Sequence, residues 1–192
     1  SSCYLDIIKD RLYCDETNGV SRRSAQTALW LILDTITKLF APILAFTCDE
    51  IWQAMPHRPD QDARNVVLNE MNQPFADYAL SEDEMAKWDK IIDVRTAVNG
   101  VLESARNEKK IGKSLEAAVE LTVPAEDAFL AQMDSDYLAD LFIVSQVNVT
   151  VGEELSVQVS EAKGEKCERC WKHHIKVGAD ANHPTLCPRC AQ

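Results

Sequence analysis

The chain has 192 residues, of which 46% are hydrophobic and 27% are charged. These values are typical of an ordinary folded protein and exclude a disordered chain, and the length allows one medium domain with a smaller satellite. The formal net charge of −11 argues against a general nucleic-acid-binding protein, because binding to phosphate requires Lys and Arg.

The sequence also lacks the features of exported and membrane proteins. No apolar run reaches the roughly 18–20 residues needed to span a bilayer, and the N-terminus has no signal-peptide pattern. We therefore expect a cytoplasmic protein without a membrane partner.

The first part of the chain has the periodicity of helices. Residues 4–13 place apolar side chains on one stripe, which predicts a helix that begins at or before the first residue. A longer apolar-periodic run from Ser21 to Phe40 predicts a second helix, which Pro42 breaks or kinks. Another helical run, from Ile43 to Trp52, is followed by a polar loop over residues 57–64.

A further long helix is predicted from its N-terminal signal. Ser81 and Glu84 have the spacing of a capping box, in which each side chain accepts a hydrogen bond from a backbone N–H of the other residue. The apolar positions that follow keep the helical period as far as Ala105, so this helix should have about 25 residues.

The periodicity then changes to that of strands. Residues 119–123 alternate between apolar and polar side chains and end at Pro124. A short helical stretch is predicted over residues 127–133. It is followed by a segment from Leu141 to Val151, in which Val147, Val149 and Val151 alternate, and by residues 155–159. These elements predict a small α/β lobe.

The C-terminal cysteines form the most specific motif in the sequence. Cys167, Cys170, Cys187 and Cys190 have the spacing C-x2-C-x16-C-x2-C, which is typical of two zinc knuckles. Four thiolates complete a closed tetrahedron, so we expect one structural Zn²⁺; a reducible disulfide pair or unmetallated thiols are the alternatives. A segment this short has little hydrophobic core, so metal binding and folding should be coupled.

The remaining cysteines and the neighbouring histidines are expected to have no part in metal binding. Four cysteines already satisfy Zn²⁺, so the histidines between the two pairs are interpreted as surface groups. The other three thiols lie in apolar or helical surroundings and should pack as small hydrophobic groups. These residues are His173, His174, His183, Cys3, Cys14 and Cys48.

Together these patterns predict a mainly α fold in three parts. A helical bundle should occupy residues 1–110, the α/β lobe 111–162, and the zinc-binding module 163–192. The last part carries a local charge of +3, whereas the preceding residues carry −14. A polyanion would therefore be bound by the zinc module and by local patches.

Arg169 and Trp171 lie within and just after the first knuckle. A guanidinium can bind phosphate or stack on a base, and an indole can stack on an unpaired base, so both are candidates for RNA contact. The alternative is that Trp171 covers the small core of the zinc module and Arg169 is solvated.

Two further basic groups are less specific. Arg22 and Arg23 lie near the start of the helix predicted from Ser21, where cations are unfavourable beside the positive end of the helix dipole. Contact with an RNA backbone or plain solvation would account for them. The basic run from Arg106 to Lys113 is interpreted as a solvated helix end.

Several segments, in order along the chain, resemble those of bacterial isoleucyl-tRNA synthetases. They are YLDIIKDRLY (Tyr4–Tyr13), RRSAQTAL (Arg22–Leu29), APILAFTCDEIW (Ala41–Trp52), IGKSLEA (Ile111–Ala117) and KCERCW (Lys166–Trp171). The resemblance implies the C-terminal part of such an enzyme: a class I anticodon-binding helical bundle, the lobe and the zinc module. It also implies a monomer, isoleucine tRNA as the partner, and Arg22, Arg23, Arg169 and Trp171 as RNA contacts.

The resemblance further implies that the parent enzyme uses ATP to attach isoleucine to tRNA in a catalytic domain upstream of Ser1, with a separate editing domain. No catalytic residues are expected here. Residues 110–114, KIGKS, differ at two of five positions from the KMSKS loop of class I synthetases, and Asn107 stands where a P-loop requires glycine.

Two other interpretations remain open. The cysteine spacing also resembles the zinc finger of DNA glycosylases of the formamidopyrimidine type, but those enzymes use an N-terminal proline and this chain begins Ser1-Ser2-Cys3. The zinc module would alternatively serve a protein-interaction adaptor, in which case RNA would not compete for it.

Overall fold

The computed structural model describes residues 3–191, which are about half helical, with a small sheet and a four-cysteine cluster. They form two compact units. One unit comprises the residues up to Glu16 together with those from Leu80 onward, and the other is Thr17–Ala79. The expected three-part division at residues 110 and 162 stays a prediction.

The α-helices have lengths from four to 26 residues. In chain order they are α1 (Tyr4–Ile7), α2 (Lys9–Cys14), α3 (Val20–Phe40), α4 (Ala45–Ala54), α5 (Glu82–Asn107) and α6 (Ser135–Phe142). Short 3₁₀ segments cover Val66–Leu68, Ala76–Tyr78, Ser114–Glu116 and Ala125–Gln132. Among residues 3–191, no helix combines the length and the apolar content needed to cross a lipid bilayer.

The strands form a three-stranded sheet and a two-stranded hairpin. They are β1 (Ala117–Pro124), β2 (Gln146–Gly152), β3 (Ser156–Glu161), β4 (Glu165–Lys166) and β5 (His173–His174). In the sheet, β1 lies in the centre, parallel to β2 and antiparallel to β3, with Val119 beside both Val147 and Val159. The chain reaches β2 from β1 through the 3₁₀ segment and α6, as a parallel pair requires.

The main core lies in the first unit, between the sheet and the helices α5 and α6. The inward residues of β1 are fully buried, and the apolar positions of α5 face the same core. The capping box at Ser81 and Glu84 is present, so the start of α5 is as predicted. The α5 residues in this core are Ile91, Val94, Val98, Leu102 and Ala105.

The second unit has a smaller core and a buried polar network. Trp52 of α4 is fully buried and packs in one cluster with Cys48 and Val66. On α3, the buried Asp34 carboxylate accepts hydrogen bonds from Lys38 at 3.1 Å and from Asn72 at 2.6 Å. Asn72 lies beyond the polar loop, so this network attaches the irregular segment to α3.

Most of the predicted elements are confirmed, with three local differences. The N-terminal helix is divided at Ile8, which is buried, into α1 and α2. The stretch predicted as helical over residues 127–133 is a 3₁₀ helix, Ala125–Gln132. Helix α6 was not predicted. Its eight residues give only a short apolar stripe, and its last two, Leu141 and Phe142, fall in the segment that was predicted to be strand-like.

Candidate metal centre and nucleic-acid interface

The four C-terminal cysteines converge in the structure. Their Sγ atoms all lie within 4.8 Å of one another, and those of Cys170 and Cys187 are 3.9 Å apart. A tetrahedral Zn²⁺ with Zn–S bonds of about 2.3 Å separates its sulfur atoms by about 3.8 Å. The cysteines are buried and no other ligand type lies among them, so the donor set fits one closed zinc site.

Two tight turns hold these cysteines. In the first, between β4 and β5, the Cys167 N–H donates to the Lys172 carbonyl and the Trp171 N–H donates to the Cys167 carbonyl, both at 2.9 Å. In the second, the Cys190 N–H donates to the Cys187 carbonyl at 3.0 Å. The Cys187 N–H also donates to Cys167 Sγ at 3.4 Å, which joins the two turns.

The thiols differ in acidity because their hydrogen bonds differ. Burial raises the pKa of Cys167, but backbone N–H bonds, chiefly from Cys170 and Cys187, outweigh it and lower that pKa to about 6. Burial raises the pKa of Cys170 to about 12 and also raises that of Cys190. Cys167 is therefore a ready thiolate, and a cation would favour ionisation of the other thiols.

The surrounding residues agree only in part with the sequence interpretation. Within residues 3–191, the cysteine cluster is the one group suited to a metal, and the histidines lie outside it. Cys14 is buried in the same cluster as the zinc-site cysteines, and its Sγ lies 3.7 Å from the Arg169 carbonyl. Cys48 is buried as predicted, but Cys3 is only half-buried.

Two ion pairs attach the zinc module to other elements of its unit. Arg189 forms a two-pronged ion pair with Asp10 of α2, at 2.5 and 2.9 Å. Lys172 forms an ion pair with Asp140 of α6. These two cations of the basic tail are neutralised, which leaves Lys163, Lys166, Arg169 and Lys176 exposed.

Trp171 has an unusual conformation. Its φ is +65°, a region that favours glycine, and its side chain is 54% exposed. The ammonium groups of Lys113 and Lys166 lie 5.6 and 5.4 Å from the ring centroid, within the range of cation–π contacts. We call these three residues the Trp171 platform.

Other side chains cover the cysteine cluster. Val177 and Leu186 are the partly buried hydrophobic residues packed against it. The half-exposed indole thus has two cations over its ring, a combination of groups that suits contact with an unpaired base and with phosphate. Arg169 is also exposed, and its Nη1 lies 3.4 Å from the Cys190 carbonyl.

The other RNA candidates lie in the second unit. Arg22 and Arg23 belong to the first turns of α3; Arg22 is half-buried, and exposed Arg23 donates to Gln26 Oε1 at 3.0 Å. The structure therefore divides the four candidates between its two units: Arg169 and Trp171 belong to the other one.

Two residues of the platform were missed by sequence reasoning. In the basic run that begins in the last turn of α5, Arg106 pairs with Glu103 and Lys110 pairs with Glu108, each at 2.6 Å. Lys113 instead lies over Trp171, 58 positions later in the sequence. The basic excess was visible in the sequence, but nothing local indicated that Lys113 would meet the knuckle.

Comparison with known proteins agrees with this geometry. Residues 1–121 match the family described as the anticodon-binding domain of tRNA ligase. The chain belongs to this family. Residues 164–192 of this anticodon-binding-domain protein also match the zinc finger found in FPG and IleRS.

Curated relatives of this family member carry the name isoleucine–tRNA ligase. Those of Syntrophotalea carbinolica, Dichelobacter nodosus and Desulforamulus reducens are 46%, 43% and 44% identical to the chain and match 98–100% of it. The chain spans about a fifth of their length, 20–22%. The zinc-finger family is shared with a glycosylase, but these names favour the ligase interpretation over the glycosylase one.

Proposed function

We propose that the chain recognises the anticodon stem-loop of isoleucine tRNA as the C-terminal part of an isoleucine–tRNA ligase. The observation that carries this proposal is the Trp171 platform, an exposed indole flanked by two lysines on a turn fixed by the cysteine site. The family match over residues 1–121 and the names of the relatives support it.

One Zn²⁺ bound by Cys167, Cys170, Cys187 and Cys190 is part of the proposal. When bound, the ion supplies the link that holds the two knuckles together, and four thiolates leave no open position for a substrate. The residues themselves do the rest: the backbone N–H bonds orient Cys167 Sγ, and the first turn fixes the direction of Trp171.

In this proposal, the Trp171 indole stacks on an unpaired loop base, while Lys113, Lys166 and Arg169 bind neighbouring phosphates. The two arginines of α3, Arg22 and Arg23, contact the RNA backbone from the helical bundle. A cationic surface confined to these groups explains how a chain with a net charge of −11 would bind RNA.

The remaining functions belong to the rest of the parent enzyme. We propose that ATP-dependent attachment of isoleucine and editing take place in upstream domains of the same polypeptide, a cytoplasmic monomer, and that no catalytic residue lies in the present chain. The anticodon-binding bundle over residues 1–110, the lobe over 111–162 and the zinc module over 163–192 are proposed as its functional divisions.

The proposal is tested by measuring binding of the zinc-loaded chain to a synthetic anticodon stem-loop of isoleucine tRNA and to the same stem-loop with its anticodon replaced. We expect the cognate RNA to bind at least tenfold more tightly. Trp171→Gly should weaken cognate binding by about tenfold, because stacking on a base contributes about 1–3 kcal/mol. Equal affinity for both RNAs, or full affinity of the variant, would contradict the proposal.

Arg169→Ala tests the phosphate contact separately. Loss of one phosphate contact should weaken binding of both RNAs alike and reduce the slope of log affinity against log salt by about one. Lys176→Ala is the matched control, because Lys176 is an exposed cation of the same module outside the Trp171 platform. An unchanged salt slope in Arg169→Ala would remove Arg169 from the interface.

A further inference from the structure

A pocket of about 510 Å³ lies beside the Trp171 platform, between the N-terminal helices and the first knuckle. Its volume is in the range of small-molecule sites. Tyr13 of α2 is 75% exposed and lines the pocket together with Trp171, and aliphatic walls come from Leu115 and Ile143. We propose that this pocket receives one flipped-out base of the anticodon loop, an inference that rests on the proposed function.

Backbone strain is concentrated at this pocket. Among residues 3–191, three non-glycine residues have positive φ: Lys109, Ile143 and Trp171. Two of them, Ile143 at +58° and Trp171 at +65°, line the pocket. Ile143 ends α6 in this left-handed conformation, which is especially costly for a β-branched residue, and Trp171 adopts it in the knuckle turn, so both side chains are held in fixed directions at the pocket.

The charged side chains that line the pocket are also compatible with RNA binding. Its three carboxylates are each paired with a cation: Asp6 with Lys9 at 2.6 Å, Asp10 with Arg189 at 2.5 Å, and Asp140 with Lys172. Arg169, which also lines the pocket, donates a hydrogen bond to the Cys190 carbonyl at 3.4 Å and takes part in no ion pair within residues 3–191. The lining therefore holds as many basic as acidic side chains, and Arg169 is the cation that it offers to a phosphate.

A nucleobase fits this combination better than an aliphatic or a charged ligand. Tyr13 and Trp171 offer two aromatic surfaces, and the leucine and isoleucine walls would cover part of a bound base. The phosphates on either side of the base would lie toward Arg169 and the lysines of the platform. Tyr13 and Ile143 thus become further RNA-binding residues, in addition to those predicted from the sequence.

The test uses Tyr13→Ala and Ile143→Gly with the intact stem-loop and with a series of stem-loops that each lack one loop base. Tyr13 is exposed and glycine relieves the strain at residue 143, so both variants should fold. Each should bind the intact RNA about tenfold more weakly. For one abasic RNA, both variants should match the unsubstituted chain, because the base that fills the pocket is missing.

Three controls separate the possible outcomes. Lys109→Gly relieves strain away from the pocket and should preserve preference for the intact over the abasic RNA. Wild-type affinity of Tyr13→Ala and Ile143→Gly, with Trp171→Gly still impaired, would overturn the pocket assignment and leave the proposed function standing. Displacement of the intact RNA by AMP at matched concentration would show a site for free nucleotides and would also overturn it.

Discussion

At the scale of single residues, the backbone conformation of Trp171 is a feature that the sequence does not predict. The cysteine spacing predicts the knuckle, and Arg169 and Trp171 are candidates for RNA contact because they lie within it and just after it. The positive φ of Trp171 could not be predicted, because the turn geometry imposes it on whichever residue follows Cys170. Left-handed backbone costs a non-glycine residue about 1–2 kcal/mol.

This strain gives a prediction about stability. Trp171→Gly should leave the zinc-loaded chain more stable than Trp171→Ala by about 1 kcal/mol, because only glycine relieves the left-handed conformation. Zinc content should be one ion per chain in both variants. Thermal unfolding of the two proteins with matched zinc content measures the difference; a glycine variant no more stable than the alanine variant would mean that residue 171 is not strained, and loss of zinc in both variants would mean that the ring supports the fold.

The buried Asp34 gives a second prediction, concerning acid. Burial raises the pKa of Asp34, but hydrogen bonds from Asn72, Lys38 and Gln61 outweigh it, so the folded-state pKa lies below the ordinary 3.8. The stabilisation is therefore complete above about pH 4 and is lost as pH falls through the folded value. Asp34→Asn should destabilise residues 17–79 by about 3 kcal/mol at neutral pH, because Lys38 stays buried without its counterion.

Hydrogen exchange in peptides from α3 and α4 measures this effect. The difference between Asp34→Asn and the unsubstituted chain should shrink as the pH falls below about 4. Glu50→Gln, which neutralises an exposed carboxylate of α4, is the matched control and should change little. A constant difference across this pH range would mean that Asp34 is uncharged in the folded state.

At the scale of elements, long helices were predicted better than short elements, because they repeat the apolar pattern over more turns. Helices α3 and α5 contain many turns, and the Ser81–Glu84 capping box marked the start of α5 within one residue. Helix α6 has eight residues, and β4 and β5 have two each, so tertiary contacts and the cysteine site define them more than periodicity does.

Removal of the metal should loosen the elements that depend on the cysteine site and leave the others folded. Chelation should loosen residues from about 163 onward, because this module has little core besides the cysteine cluster. Helix α2 should loosen with it because the Arg189–Asp10 pair is lost, and α6 should lose only its Lys172–Asp140 pair, while α5 and the sheet keep their own core. Hydrogen exchange before and after chelation measures this; loss of protection in α5 would show that the core itself depends on zinc.

At the scale of the whole molecule, the sequence indicated the family of the chain, but it did not indicate which distant segments lie in contact. Periodicity cannot show that residues on either side of a 63-residue segment, Thr17–Ala79, share one unit. The Arg189–Asp10 pair could not be predicted either, because the sequence does not show which of its many acidic residues Arg189 contacts. The pocket walls come from four separated segments and could not be assembled from spacing alone.

The absence of nucleotide-binding motifs in the sequence gives a prediction for the chain as a whole. The 192-residue chain should neither activate isoleucine nor hydrolyse ATP, because neither a P-loop nor the paired ATP-binding motifs of class I synthetases are present. Isoleucine-dependent exchange of pyrophosphate into ATP should equal the rate of a blank without protein. A rate that scales with protein concentration would require a catalytic site among residues 1–192.

The contact between Arg189 and Asp10 joins residues 179 positions apart, which affects the order of events during synthesis. At about 5–20 residues per second, the ribosome synthesises Arg189 roughly 10–35 s after Asp10. Helices of four and six residues are too short to persist alone during that time, whereas Thr17–Ala79 is continuous and can fold first. A nascent chain that fails to acquire its metal would therefore keep residues 4–14 open to proteases.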